Sequence, residues 1–199
     1  MMVINNGKLK IAIPNKGRLK EPAIEMLKTI GLDFELAERQ LSSSVQNFDL
    51  EILFISASNI PEYVQDGVAD LGITGLDLVY EREADVKVLE KLNFGKANLV
   101  LAVPENSSVK SPQDLKNKKI ATTFVNLTKK YLEEKSIKAK IIRVDGAVEI
   151  TPWLGLVVAI SDLSSSGNSL KTNHLKSIDT IIKSEAVLIG NKNSLEKKR

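Results

Sequence analysis

The chain has no cysteine and a single histidine, His174. Without thiols it can form no disulfide, no thiolate metal site and no cysteine nucleophile. One imidazole cannot build a multi-histidine metal centre, and any serine–histidine triad would have to be assembled around His174 alone. Long apolar runs are also missing: nothing approaches the roughly 20 residues that a membrane-spanning helix needs. Residues 1–10 are polar, without the pattern of a secretory signal, and the apolar stretch after them is short and stops at Pro14. A cytoplasmic location with no membrane partner is the expectation. Charge of one sign is scarce as well. The 28 Lys/Arg and 25 Asp/Glu leave a net charge of +3 spread along the chain, so no nucleic-acid partner is expected. The run from Glu196 to Arg199 reads as a solvated end. What remains for chemistry is backbone amides, hydroxyls, carboxylates and Lys/Arg cations, with any metal carried in by a substrate.

At 199 residues the chain can form one large domain or two small ones. Apolar runs at 9–14, 50–55, 69–73, 98–103, 119–122, 141–144 and 157–161 read as strands, several of them closed by proline or glycine. Helical spacing fills the gaps: 21–30, 59–67, a segment from Leu76, a short serine-capped turn at 111–115, and 128–135. Segments 179–182 and 186–189 end the pattern as two short strands or as a strand after a brief helix. Strands alternating with helices predict an α/β fold with mostly parallel sheets. The alternation restarts near 93–97. This suggests a first lobe of residues 1–94 plus 176–199 and a second of 95–175.

Several loops at strand ends suit anions. In Ile160-Ser161-Asp162-Leu163-Ser164-Ser165-Ser166-Gly167-Asn168-Ser169-Leu170, an apolar strand ends at Asp162 and small residues lead to a helix start. Small side chains let a phosphate reach backbone amides while hydroxyls add donors, although a plain Ser/Gly turn capped by Ser169 has the same composition. Asp162 is placed to hold ribose hydroxyls or a magnesium shell. Glu149, among apolar neighbours in Gly146-Ala147-Val148-Glu149-Ile150, needs a partner such as sugar hydroxyls, or else lies on the surface between buried alternates. Asp70-Leu71-Gly72-Ile73-Thr74-Gly75-Leu76-Asp77 is a strand–turn–helix junction suited equally to close approach by a ligand or to a tight turn. Lys16-Gly17-Arg18 offers a pyrophosphate clamp or a solvated basic turn. Thr122 to Thr128 gathers hydroxyls and Asn126 before a helix, where Asn126 or Thr128 also suits a cap.

Taken in order, these segments resemble the ATP phosphoribosyltransferase family. The resemblance is carried by Ala12-Ile13-Pro14 with Lys16-Gly17-Arg18-Leu19, by Gly67 through Asp77 (GVADLGITGLD), and by Ile120-Ala121-Thr122 with Asn126-Leu127-Thr128 before Tyr131. Gly146-Ala147-Val148-Glu149 continues it, followed by Gly155, Ile160, Asp162, Ser166, Gly167 and Leu170. It implies two α/β lobes of periplasmic-binding-protein-like type with the active site in the interlobe cleft. It also implies transfer of the phosphoribosyl group of phosphoribosyl pyrophosphate to N1 of ATP, the first step of histidine biosynthesis, with Mg2+ arriving on the pyrophosphate.

On this resemblance, Lys16 and Arg18 meet phosphate charge, while Glu149 and Asp162 meet the ribose or its developing positive charge. Gly17, Gly72, Thr74, Gly75, Asp77, Thr122 and Asn126 contact nucleotide or pyrophosphate, and Ser164, Ser165, Ser166, Gly167, Asn168 and Ser169 hold the 5′-phosphate and ribose. Two departures stand out. Val157 and Val158 replace the family's small residue and aspartate, which removes a charge near the site, and Ser169 replaces a threonine while keeping the hydroxyl. The chain stops soon after Ile189, which suggests the short form of the family. Short members work as homo-oligomers with a regulatory subunit resembling histidyl-tRNA synthetase. The alternative is a non-catalytic cytosolic sensor for phosphoribosyl pyrophosphate or nucleotides.

Overall fold

The computed structural model describes residues 8–37 and 40–197. The charged end from Glu196 onward, for which the sequence predicts a solvated terminus, lies outside the described side chains. Contacts divide the chain into two compact units, residues 1–95 with 185–199 and residues 96–184.

The first unit is built on β1 (Leu9–Pro14), β2 (Ser42–Ser44), β3 (Leu50–Ile55), β4 (Leu71–Gly75) and β5 (Lys87–Lys91), completed by β11 (Ala186–Gly190). Their order is β2-β3-β1-β4-β11-β5. β1 runs parallel to β3 and β4, whereas β11 inserts antiparallel between β4 and β5. Both faces of the central strands are covered. Ile11 and Ile13 pack with Ala23, Ile24 and Leu27 of α1 (Lys20–Thr29), while Ala12 packs with Ile60 and Val64 of α2 (Ile60–Gln65). Burial on both sides is why these strands read as continuous apolar runs.

β2 and β5 are edge strands that sequence reading does not find. Ser42, Ser43 and Ser44 carry no apolar alternation and become a strand by pairing with β3. β5, mostly exposed, pairs only with β11, a segment far along the chain.

Gly72 sits buried within β4. A Cβ there would lie 2.6 Å from Ile60 Cγ2 and 2.8 Å from Val64 Cγ2. Its lack of a side chain lets α2 lie close on the sheet. Gly72→Ala is expected to destabilise the protein by roughly 1–3 kcal/mol through overpacking. A thermal melt should show a Tm lower by roughly 5 °C; an unchanged Tm would remove this packing role.

The second unit holds β6 (Ala97–Pro104), β7 (Lys119–Thr122), β8 (Lys140–Arg143), β9 (Ala159–Ser164) and β10 (Leu175–Ser184) in the order β10-β6-β9-β7-β8. β7 is parallel to β8 and β9, and β6 is antiparallel to β9 and β10. α4 (Val125–Glu134) buries Tyr131 and Leu132 against Leu101, Leu115 and Ile120 on one face. Val100, Ala121, Val148, Val157 and Ile160 form the core of the other. β10 pairs with β6 along its whole length, from Leu175 opposite Pro104 to Ser184 opposite Ala97. Residues 176–184 therefore belong to the second unit, and the return to the first falls at Glu185 rather than at residue 176.

Candidate functional site

Loops leave the carboxyl ends of the three parallel strands of the second sheet on one side of it, the usual place for ligand contacts in such sheets. β7 leads into α4, β8 into the turn at Gly146, and β9 into residues 165–167 before the short helix α5 (Asn168–Thr172). β9 pairs with β7 only as far as Ser161, opposite Thr122, while its pairing with β6 continues to Ser164. Asp162 is thus the first residue of β9 beyond the end of its parallel neighbour. It lies inside the strand, not at its last residue as the sequence suggested. The strand end is fixed from the other face, where the Thr128 hydroxyl of α4 donates to Ser161 Oγ at 2.9 Å and both residues are fully buried.

Two left-handed residues, Gly146 (φ 91°) and Ala147 (φ 48°), turn the chain after β8 into a single 3-10 turn, Val148–Ile150. Val148 is anchored in the same core as Ile160, which leaves Glu149 partly exposed near Asp162. The Asp162 carboxyl is pushed up to about 6 from its ordinary 3.8. Burial is the main cause and the like charge of Glu149 adds to it, while the Leu163 amide acts in the opposite direction. Two neighbouring carboxylates, one half-buried, form a site that a cation or a set of sugar hydroxyls would relieve.

Val157 and Val158 bear less on this pair than the sequence suggested. Val157 is buried in the core that carries Val148 and Ile160, and Val158 packs against the opposite one with Leu101, Ile120 and Tyr131. Asp162 is two residues beyond Ile160 on the same face of the strand. Val158 therefore lies away from the Asp162–Glu149 pair.

The segment 164–169 is open. Ser165, Ser166, Asn168 and Ser169 are exposed, Ser164 and Gly167 partly so. The Gly167 amide donates to Ser164 Oγ at 3.1 Å and the Asn168 amide to Ser166 Oγ at 3.4 Å, while the amides of Ser165 and Ser166 meet no acceptor among the described residues. Gly167 adopts φ 78° and caps α5, so Ser169 is helical and not the cap. Trp153 Nε1 donates to the Asn173 carbonyl at 3.0 Å, tying the segment after Glu149 to the end of α5. Thr122 is fully buried, and its hydroxyl accepts the Phe124 amide at 2.8 Å at the start of α4. It is an internal cap at the start of α4, where Phe124, and neither Asn126 nor Thr128, stands at the N-cap. Asn126 is exposed in the first turn of α4.

In the first unit, the loops after β1, β3 and β4 likewise leave the carboxyl edge of parallel strands. Gly17, with φ 81° and open space around it, turns the chain so that Lys16 and Arg18 are exposed. Lys16 reaches no acidic partner among the described residues. Arg18 is committed on one side: its Nη1 donates to the Gly95 carbonyl and its Nη2 lies 3.8 Å from Asp77 Oδ1. Thr74 and Asp77 are buried. The Thr74 hydroxyl donates to the Ala57 carbonyl at 2.8 Å, so it ties the loop after β3 to β4 and does not face a ligand. Gly75, also buried, precedes α3 (Leu76–Glu81) and lies directly against the Asp77 carboxylate. All three residues are thus engaged in contacts within the first unit.

Sequence reading missed the hydroxyl-rich loop after β3. There Ser56 Oγ and Ser58 Oγ are 3.1 Å apart, and Ser58 Oγ donates to Asn59 Oδ1 at 3.3 Å. Ser-Ala-Ser-Asn at the end of an apolar strand was the available signal. Among the described residues, no helix is long and apolar enough to cross a membrane.

Comparison with known proteins gives this arrangement a lineage. The family described as HisG, ATP phosphoribosyltransferase, matches residues 56–199. An ATP phosphoribosyltransferase of Methanosarcina mazei is 50% identical over 192 residues, covering 96% of this chain and 66% of its own length. The chain thus spans about two thirds of the length of such curated relatives. Its fold is similar to a subunit of the ATP phosphoribosyl transferase (HisG:HisZ) complex from Thermotoga maritima. That likeness has a TM-score of 0.82 and 34% identity, covering 96% of this chain and 91% of that one. The substrate-binding protein of an amino acid ABC transporter shares the fold alone, with a TM-score of 0.62 and 17% identity, covering 96% of this chain and 88% of that one. Two α/β units of this kind, a family match over residues 56–199 and 50% identity with the Methanosarcina mazei relative place this chain in the ATP phosphoribosyltransferase family.

Proposed function

We propose that the chain transfers the phosphoribosyl group of phosphoribosyl pyrophosphate to N1 of ATP, giving phosphoribosyl-ATP and pyrophosphate, the opening step of histidine biosynthesis. The observation that carries this reading is the Asp162–Glu149 pair beside the open loop 164–169, in a member of this family. In the reaction the bond from adenine N1 to the anomeric carbon forms as the bond from that carbon to the pyrophosphate oxygen breaks. Pyrophosphate leaves with its magnesium, which enters as part of the substrate and spreads the leaving group's charge. The protein supplies alignment and electrostatics and forms no covalent bond of its own.

In the second unit, the free amides of Ser165 and Ser166 and the hydroxyls of residues 164–169 receive the 5′-phosphate. Asp162 and Glu149 accept hydrogen bonds from the ribose hydroxyls and offset positive charge as the sugar loses its leaving group. In the first unit, Lys16 and the outward side of Arg18 meet pyrophosphate. The same reading places the chain in the cytoplasm as a homo-oligomer, with a regulatory subunit resembling histidyl-tRNA synthetase. The two-component name of the Thermotoga maritima complex favours such a partner.

The test is near-ultraviolet detection of phosphoribosyl-ATP from ATP, phosphoribosyl pyrophosphate and magnesium, with pyrophosphatase present. Product from the chain alone, or only after a regulatory subunit is added, is the expected result and decides whether that partner is required. No product under either condition, with phosphoribosyl pyrophosphate still bound, would overturn catalysis in favour of a sensor.

A further inference from the structure

Asp77 is a charged residue on which the chemistry just described makes no direct call. It is only 1% exposed, in the first turn of α3. Its carboxylate folds back so closely on Gly75 that a Cβ at that position would lie 2.3 Å from Oδ1, far inside any real contact. Glycine at 75 is therefore the condition for this carboxylate position. Arg18, whose side chain is 34% exposed, lies beside it with Nη2 at 3.8 Å, and Nη1 of the same guanidinium donates to the Gly95 carbonyl. Gly95 is itself hemmed in. It has φ 60°, and a Cβ there would meet Leu19 Cδ2 at 2.1 Å and Arg18 Nη1 at 3.1 Å. A guanidinium is a planar fork of five donors, so a hydrogen bond from one nitrogen and a buried carboxylate charge 3.8 Å from another together restrict its plane from one side.

We propose that Asp77 is a positioning residue for pyrophosphate recognition: its buried carboxylate, seated against Gly75, holds the Arg18 guanidinium in its anion-binding orientation. The inference rests on the functional reading above, in which Arg18 meets pyrophosphate. Asp77 acts only through Arg18, because a residue this deeply buried cannot touch the substrate. The arrangement also gives Gly75 a reason for being glycine that its backbone does not, since its φ of −80° is open to any residue.

The experiment uses the full chain and three substitutions, Asp77→Asn, Gly75→Ala and Arg18→Met, with magnesium pyrophosphate as the calorimetric probe. Asp77→Asn should weaken pyrophosphate binding by roughly tenfold, because a guanidinium no longer held in plane loses alignment with its anion. The KM for phosphoribosyl pyrophosphate should rise in parallel while the KM for ATP stays put. Gly75→Ala, which expels the carboxylate without removing it, should reproduce the loss. In the Arg18→Met background, Asp77→Asn should have no further effect on pyrophosphate binding. A lower Tm with unchanged pyrophosphate affinity would make Asp77 merely structural and overturn the proposal. So would an equal loss from Asp77→Asn with and without Arg18. If Asp77→Asn does not fold, Gly75→Ala alone and combined with Arg18→Met decides the matter by the same criterion. Failure of the functional reading would look different: the unsubstituted chain would form no phosphoribosyl-ATP with or without a regulatory subunit.

Discussion

Asp162→Asn is expected to lower kcat/KM for phosphoribosyl-ATP formation by about 100- to 1000-fold, the range seen when one preorganised electrostatic contact to a reacting centre is removed. The same substitution should make the protein more stable. Burial and Glu149 raise the folded-state Asp162 to about 6 from an ordinary 3.8. The native state therefore holds a proton between those values that the unfolded chain has released. The Asp162 contribution to stability is greatest below about 3.8, falls as pH rises through this window and is level above about 6. At pH 8 the carboxylate is a liability that asparagine lacks, roughly 1–2 kcal/mol once solvent screening of a half-buried group is allowed for. A Tm higher by a few degrees alongside collapsed turnover is the combined signature. Substrate reverses the preference, because ribose hydroxyls and magnesium favour the ionised form. In the unsubstituted protein, kcat/KM should thus decline as pH falls below about 6. That acid limb should vanish in Asp162→Asn. Turnover within threefold of the parent chain would remove Asp162 from the active site.

Lys16→Ala carries the second-largest expected effect. The side chain is exposed beyond β1 and reaches no acidic partner among the described residues, so nothing in the fold depends on its charge. Stability should change by less than about 0.5 kcal/mol, as for most surface substitutions. Turnover should nevertheless fall by roughly 10- to 100-fold, because an ammonium facing pyrophosphate does most when charge builds on the leaving group. The loss should appear in kcat and kcat/KM together, the mark of a contact that strengthens in the transition state. Activity is measured with saturating magnesium to keep the metal content of the substrate constant. A change confined to KM would assign Lys16 to ground-state binding, and no change at all would return it to a solvated basic turn.

Much of the architecture was legible because it follows from local pattern. The strands 9–14, 50–55 and 119–122 were read to the residue. Each is a mainly apolar run with a clear stop, and in 9–14 the last four residues are buried on both faces. The serine-capped turn was equally readable, since Ser111 and Asp114 satisfy each other's backbone amides as a capping box. What failed depended on a distant partner. Ser42 to Ser44 and Lys87 to Lys91 are strands only because β3 and β11 lie alongside. The return point at Glu185 is set by the pairing of β10 with β6, and no composition shift marks it.

The candidate site divides along the same line. By itself the sequence determined where polar side chains gather at strand ends, because small and charged residues follow apolar strands at Lys16, Glu149 and residues 162–169. Tertiary structure decided which of those side chains face outward. Thr74, Asp77 and Thr122 carry the same functional groups as exposed neighbours, yet packing closes over them and turns each into an internal tie. It also set the Asp162 carboxyl apart from an ordinary one. That shift comes from burial and from Glu149, a residue that a turn of two left-handed residues brings near Asp162 across 13 positions of chain. Hydrogen-bonding capacity belongs to the residue type and can be read in order along the chain. Burial and the field of a neighbouring charge belong to the packed arrangement, and they exist only once the sheet and its helices have assembled.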